Sequence, residues 1–365
     1  MRYLDEEAIK DIALGAAVLG TGGGGDPYIG ELMAIQAVKQ HGPVKMIELE
    51  EVSDDALVVP IGMMGAPTVL FEKAPGKEEA KKAFELMETY LGKEIYATMP
   101  IEIGGVNSLL PVAIAARLGL PIVNADGMGR AFPELQQVTF YLDGITNSPL
   151  VMADERGNTS ILQTINNLWS ERIARSITVE MGGSATVAQY SVSGKQVKDS
   201  GIARSLTFAE GIGKIIRHRK KYKLHPIEEV LEFTGGHALF RGKVVDIDRK
   251  TTTGFARGVA TIEGIEDDKG KNVNLHFQNE FLLAESDGQP VCITPDLICL
   301  LDHESGRPIT TEGLRYGLRC VVIGIACDDK WRTEKGIETV GPGYFGYDMD
   351  YTPIEKLLEQ GGEAR

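Results

Sequence analysis

The stretch EIGGVNSLLPVAIAARLGLPIVNADGMGRAFPE, Glu102 to Glu134, decides the reading of the fold. The residues just before it, Glu94 to Met99, read as a buried strand. A polar, glycine-rich turn follows, Glu102 to Asn107, and then an apolar helix, Ser108 to Leu118. Gly119 stops that helix, because glycine takes the left-handed conformation without strain. A second short strand, Pro121 to Val123, runs into Asn124, Asp126, Gly127, Gly129, Arg130 and Glu134. Two consecutive strands thus end in loops carrying carboxylates, amides and glycines. In an open parallel sheet, neighbouring carboxyl ends lie side by side and ligands bind in the crevice outside them. Glu102 and Asn107 are therefore expected to face Asn124, Asp126 and Arg130 across one crevice. The competing reading makes these residues caps and turns, a common role of Asp and Asn beside glycine.

Toward the N-terminus, Leu4 to Leu19 reads as a helix with Asp5, Glu6 and Glu7 in its first turn, where carboxylates suit the dipole. It leads into Gly20-Thr21-Gly22-Gly23-Gly24-Gly25-Asp26-Pro27 and a second helix, Tyr28 to Gln40. A glycine loop that opens a helix offers free N–H groups to an anion. Gly22, Gly23, Gly24, Gly25 and Asp26 therefore read as a loop approaching a carboxylate or an oxyanion, and equally as a tight helix–helix turn. A dinucleotide fingerprint needs a strand before the glycines, and a P-loop ends in Lys-Ser/Thr; neither is present. Val44 to Glu48 and Ala56 to Ile61 read as strands, the second running into Gly62 to Pro67, where Met63 and Met64 suit an apolar pocket wall. With a helix over Gly76 to Leu91, strands and helices alternate as in a parallel α/β sheet, to which Val138 to Leu142 adds a further strand.

Toward the C-terminus, Asn158 to Ser176 reads as a helix, Ile177 to Met181 and Ala185 to Ser191 as strands, and Ser200 to Lys223 as a long helix. From Gly236 to Val340 the chain breaks into short alternating or β-branched runs divided by turn residues such as Ser286-Asp287-Gly288. The expected fold class is α/β: an N-terminal, mostly parallel sheet with flanking helices, plus a β-rich C-terminal domain of barrel or sandwich type. The expected division is 1–170 as the α/β domain carrying the site and 171–235 as connecting strands and a long helix. Residues 236–350 form the β-rich domain, and 351–365 a short helix and tail.

A net charge of -14 excludes recruitment of nucleic acid or an anionic membrane by the overall field. The basic run RHRKKYK, Arg217 to Lys223, reads as the solvated end of a helix. No apolar run reaches the ~20 residues of a membrane span and the N-terminus has no signal core, so a cytoplasmic protein is expected. Cys292, Cys299, Cys320 and Cys327 form no C-x-x-C pair and read as buried thiols; Cys327 alone stands at a strand end as a nucleophile would. The six histidines show no metal spacing, and no G-x-S-x-G elbow is present; His237 and His276 are the ones placed to reach a domain interface.

What remains is a carboxylate–amide–glycine site for a small-molecule substrate. Glu102, Asp126 and Glu134 are its carboxylates and Asn107 and Asn124 its amides. Asp126 or Glu102 serves as base, while Asn107 and the Gly22–Gly25 amides steady developing negative charge. Arg130 suits a substrate carboxylate. Alternatively Asp126 and Glu102 hold a divalent metal. A homo-oligomer is expected for such an enzyme, most often with two-fold symmetry.

The motifs TGGGGDP (Thr21 to Pro27), GAP (Gly65 to Pro67), EIGGVNSLLP (Glu102 to Pro111) and NADGMGRAFPE (Asn124 to Glu134) together resemble the S-methyl thiohydantoin desulfurase family. The resemblance continues through FRGKVVDIDRKTTTGFARG (Phe240 to Gly258), Asn279-Glu280, PDLICLLD (Pro295 to Asp302) and GPGYFGY (Gly341 to Tyr347). It implies an α/β domain joined to a β-rich domain, and hydrolysis of an S-methylated thiohydantoin to a hydantoin and methanethiol. A non-catalytic partner of a hydantoinase- or oxoprolinase-type enzyme is the alternative it implies. Asn124 stands where the family's loop is expected to carry an acid, which leaves this loop one charge short.

Overall fold

A computed structural model describes residues 1–65, 69, 78–219, 225–252 and 255–363. The strands that carry the site are short and apolar on both faces, as a layer covered by helices requires. Val44–Ile47, Ile122–Val123, Ala97–Pro100 and Leu57–Gly65 lie side by side and parallel, with Met46 opposite Ile122 and Val58 opposite Ala97. Antiparallel strands finish both edges: Arg2–Leu4 on one side, and Ser184–Ala188, Leu150–Ala153 and Thr159–Leu162 on the other. The first sheet is therefore mixed, with its parallel strands in the middle.

The helix Glu6–Leu19 is capped by Asp5, whose carboxylate accepts from the Ala8 N–H. It packs on Ser205–Arg217 through glycines: a Cβ at Gly15 would overlap the carbonyl of Ala209, and one at Gly213 the carbonyl of Asp11. Arg217 Nε, at the end of the second helix, bonds Asp11 Oδ1 at 2.7 Å across this crossing. The basic run thus begins in an ion pair; residues 220–223 lie outside the described residues, as do 66–67 of the GAP motif.

The second sheet is wholly antiparallel and curls into a half-barrel. Its order is Gln289–Ile293, Glu280–Ser286, Asn272–Gln278, Phe255–Gly264, His237–Thr252, Arg319–Ile325, Leu297–Asp302. The two-residue alternation of a strand assigns its side chains to two cores. Leu297, Cys299, Leu301, Val321 and Ile323 join Leu4, Ile9 and Ile12 of the N-terminal layer. Ile298, Leu300, Cys320 and Val322 fill the inside of the curl with Val244, Leu275 and Phe281.

Three expectations are corrected. Val138 to Leu142 is not a strand: Thr139–Leu142 forms one helical turn. Ile177 to Met181 is not a strand but the end of the helix Asn167–Glu180, whose cap Asn166 accepts from the Trp169 N–H. Asn158 to Ser176 is not one helix, since Thr159–Leu162 pairs with Leu150–Ala153 before that helix begins. The long helix after Ser200 is Ser205–Arg217.

Candidate active site

At the carboxyl ends of Leu57–Gly65 and Ala97–Pro100 lies a cavity of about 100 Å³, partly open to solvent. That is the scale of one small ring, since a cavity of about 150 Å³ binds benzene. The cavity in this chain is lined by Met63 and Met64, by Glu102 and Asn107, by Gly24 and Gly25 of the glycine loop, and by Phe132 and Glu134. The second sheet contributes Asn279 and Glu280.

Asn107 builds the geometry. It sits in the single turn Gly105–Ser108, and its side chain continues the ladder of Leu57–Gly65. Oδ1 accepts from the Met63 N–H at 2.7 Å, and Nδ2 donates to the Met63 carbonyl at 3.2 Å and to Glu102 Oε1 at 2.7 Å. The amide thereby fixes the Glu102 carboxyl, which is 5% exposed. Burial pushes the Glu102 pKa up to about 8, and the charge of Asp126 adds to the rise while the Asn107 bond opposes it.

Glu280 comes from the second sheet, next to the apex of a tight hairpin between Asn272–Gln278 and Glu280–Ser286. Asn279 takes a left-handed φ of 61° there, and it is tied down by its N–H to the Ala256 carbonyl and by its Oδ1 from the Ala256 N–H. The apex is stitched to the glycine loop: Phe281 N–H donates to the Thr21 carbonyl at 2.7 Å, and Thr311 N–H to that of Gly22 at 2.8 Å. A Cβ at Gly23 would overlap the Glu280 carboxyl, and one at Gly24 the Gly104 backbone. Both readings of the glycine loop thus meet: it is a helix–helix turn, and it closes on a carboxyl group of its own chain. Glu280 is 3% exposed, and its Oε2 has no hydrogen-bond partner among the described residues. Burial raises its pKa well above the usual carboxylate range, Glu102 adding to the rise and Arg130 opposing it.

Of the residues expected at the site, Glu102, Asn107, Glu134, Gly24 and Gly25 line the cavity. Glu134 is held by Tyr344, whose hydroxyl donates to its Oε2 at 2.6 Å, and by Gln136. The others are placed elsewhere. Asp126 does not line the cavity; it is wholly buried, with Oδ2 accepting from the N–H groups of Met128 and Gly129 at 2.9 and 2.8 Å. Burial raises its pKa to about 7. Asn124 anchors the start of Ser205–Arg217: its Oδ1 accepts from the Thr207 N–H and its Nδ2 donates to Glu48 and to the Thr207 hydroxyl. Arg130 holds no ligand, because its five donors go to the carbonyls of Ala131, Pro295, Asp296 and Phe281 and to the Thr21 hydroxyl. Asp26 is exposed and caps Pro27–His41. Gly22 packs under Phe281 and Gly23 under Glu280.

Sequence reasoning gave no site role to Glu280, Asn279, Arg175 or Gln189, all in the cavity wall. The signal for the first two was an Asn-Glu pair following the strand Asn272–Gln278; nothing in the pattern of an amphipathic helix marks Arg175. Its Nε bonds Glu171 and one Nη2 hydrogen the Pro133 carbonyl, while its remaining N–H groups bond no described residue. His237, His276 and Cys327 do not line the cavity, and burial pushes the Cys327 thiol up to about 12. Among the described residues, no group of three or more His, Cys, Asp or Glu is placed to hold a metal ion, and no helix is long and apolar enough to cross a membrane.

Fold and cavity define a class: an α/β protein whose mixed sheet meets a curled antiparallel sheet over a small chamber with buried carboxyl groups. The chain belongs to the S-Me-THD-like family, whose N-terminal domain matches residues 7–164 and whose C-terminal domain matches residues 165–354. It is similar to a crystal structure of a protein from Chromobacterium violaceum, with a TM-score of 0.80 and 22% identity over 97% of this chain and 100% of that one, a likeness of fold. No curated protein matches it.

Proposed function

We propose that the protein is a hydrolase acting on a hydantoin- or thiohydantoin-like five-membered ring. The observation that carries this reading is Glu102, a carboxyl buried in the wall of a ring-sized cavity, oriented by Asn107 and tuned to about 8. A base works best when its pKa lies near the working pH. Membership in the S-Me-THD-like family supports a ring of this kind.

In the proposed reaction, ionised Glu102 takes a proton from water, and the water oxygen bonds the ring carbon between the two nitrogens. With an S-methyl substrate, the carbon–sulfur bond then breaks and methanethiol leaves, while the added hydroxyl passes its proton to the ring nitrogen and becomes the ring carbonyl. Asn107 spends both amide hydrogens on Glu102 and Met63, so its part is to position the base. Gly24 and Gly25 line the same cavity, and their backbone N–H groups donate to no described residue, which suits them to negative charge on the ring. Arg175 takes the role first given to Arg130, holding an anionic substituent at the cavity edge. The test is thiol release from an S-methyl thiohydantoin by the wild type and by Glu102→Gln. The variant should lose about 10²–10⁴-fold in turnover, as for a lost general base. Undiminished release by the variant would remove Glu102 from the chemistry.

A further inference from the structure

We propose that Glu280, which lines the same cavity as the base Glu102, is the proton donor to the leaving group. This rests on the hydrolase reading above and adds the second half of its proton transfer.

Three observations carry it. Glu280 is buried in the cavity wall with one carboxyl oxygen unpartnered, so it keeps a group free to donate or accept a proton there. A buried, unsatisfied carboxyl costs stability and persists where something else requires it. The surrounding structure is shaped to admit it: the glycine at 23 leaves space where any Cβ would overlap the carboxyl, and the left-handed Asn279 turns the hairpin beside it. Finally, the charged and titratable groups that act on it are Glu102, Arg130 and Glu312. Arg130 is itself spent on backbone carbonyls, and Glu312 is a mostly buried carboxyl whose Oε2 is also unpartnered. In such surroundings the neutral acid is the favoured form of Glu280.

The proton inventory closes between water, the ring and the pair. Water adds across the ring carbon–nitrogen double bond: one of its protons passes to Glu102, and the other moves from the added hydroxyl to the ring nitrogen as the carbonyl forms. As the carbon–sulfur bond breaks, the bonding electrons go to sulfur and the Glu280 proton follows them, giving a neutral thiol. The pair then holds one proton on Glu102 in place of one on Glu280, and a transfer between the two carboxyls restores the starting state. No other reactant is consumed.

A leaving-group series tests this. Two S-substituted thiohydantoins are compared, one releasing methanethiol and one an aryl thiol, whose lower pKa lets it depart with less assistance. Glu280→Gln should slow methanethiol release by about 10²–10⁴-fold and aryl thiol release by no more than about tenfold, whereas Glu102→Gln should slow both. Equal losses on both substrates, or no loss on either, would overturn the assignment while leaving the hydrolase reading standing. Release of neither thiol by the wild type would overturn both. Should Glu280→Gln fail to fold, the wild type decides: its rates should be nearly independent of thiol pKa, and a steep dependence would mean that no acid assists departure.

Discussion

A base that must be ionised sets the pH dependence of turnover. With the Glu102 carboxyl at about 8, kcat/KM should rise with pH through that value, and a pH–rate profile checks it. The fall at higher pH belongs to the Glu102–Glu280 pair, since close carboxyls titrate together. The same shift acts on stability. Folded Glu102 keeps its proton up to about 8, whereas the unfolded chain releases it near the ordinary 4.5, so this residue's contribution falls as pH rises through that window. Glu102→Gln removes the effect: its Tm should match the wild type near about pH 4 and exceed it by several degrees near about pH 9. An equal difference at both values would contradict the burial argument. Arg130 gives the opposite kind of test. Arg130→Lys strips donors from buried carbonyls on both halves of the chain and should cost about 3 kcal/mol or more in denaturant unfolding. The folded fraction should keep its KM, because Arg130 touches no substrate. Glu102 and Asn107 were legible in the sequence because they directly follow a strand whose end must face a crevice. Asn124, Asp126 and Arg130 followed the neighbouring strand, yet Asn124 is spent on a helix start, Arg130 on carbonyls and one Asp126 oxygen on its own turn, and spacing alone does not reveal which polar groups are already satisfied.

Glycine decides matters at the scale of elements. The helices Glu6–Leu19 and Ser205–Arg217 approach so closely at Gly15 and Gly213 that a methyl group meets backbone on the other side. Gly213→Ala should therefore destabilise the fold by about 1–3 kcal/mol, read as a lower denaturant midpoint at unchanged m. Gly23→Ala meets a side chain instead, the Glu280 carboxyl, and should lower turnover more than stability. Such crossings are invisible in a linear pattern, where nothing marks a glycine inside a helix as a point of close approach. The misread elements have local causes. Ile177-Thr178-Val179 is β-branched, but it continues a helix already capped at Asn166, and Thr178 bonds back to the Ala174 carbonyl. Val138 to Leu142 has strand composition, yet the Thr139 N–H is committed to the Gly127 carbonyl, which folds the segment onto the site loop.

Across the whole molecule, one apolar core runs through the N-terminal layer and into the outer face of Leu297–Asp302 and Arg319–Ile325. The glycine loop and the Asn279 hairpin are hydrogen-bonded together beside the cavity. A chain built this way should unfold as one cooperative unit, with equal calorimetric and van't Hoff enthalpies; two resolved transitions would contradict it. The sequence already pointed to an α/β first half and a β-rich second half, because alternation and helix periodicity are local. It did not reveal that the second half supplies a carboxyl to the first half's cavity, because that contact joins residues far apart in the chain. Hydrolysis of a thiohydantoin-like ring in this cavity, with Glu102 as base, is tested by thiol release from an S-methyl thiohydantoin. Release should follow enzyme concentration and fall by about 10²–10⁴-fold in Glu102→Gln. No release by the wild type, or equal release by the variant, would contradict it.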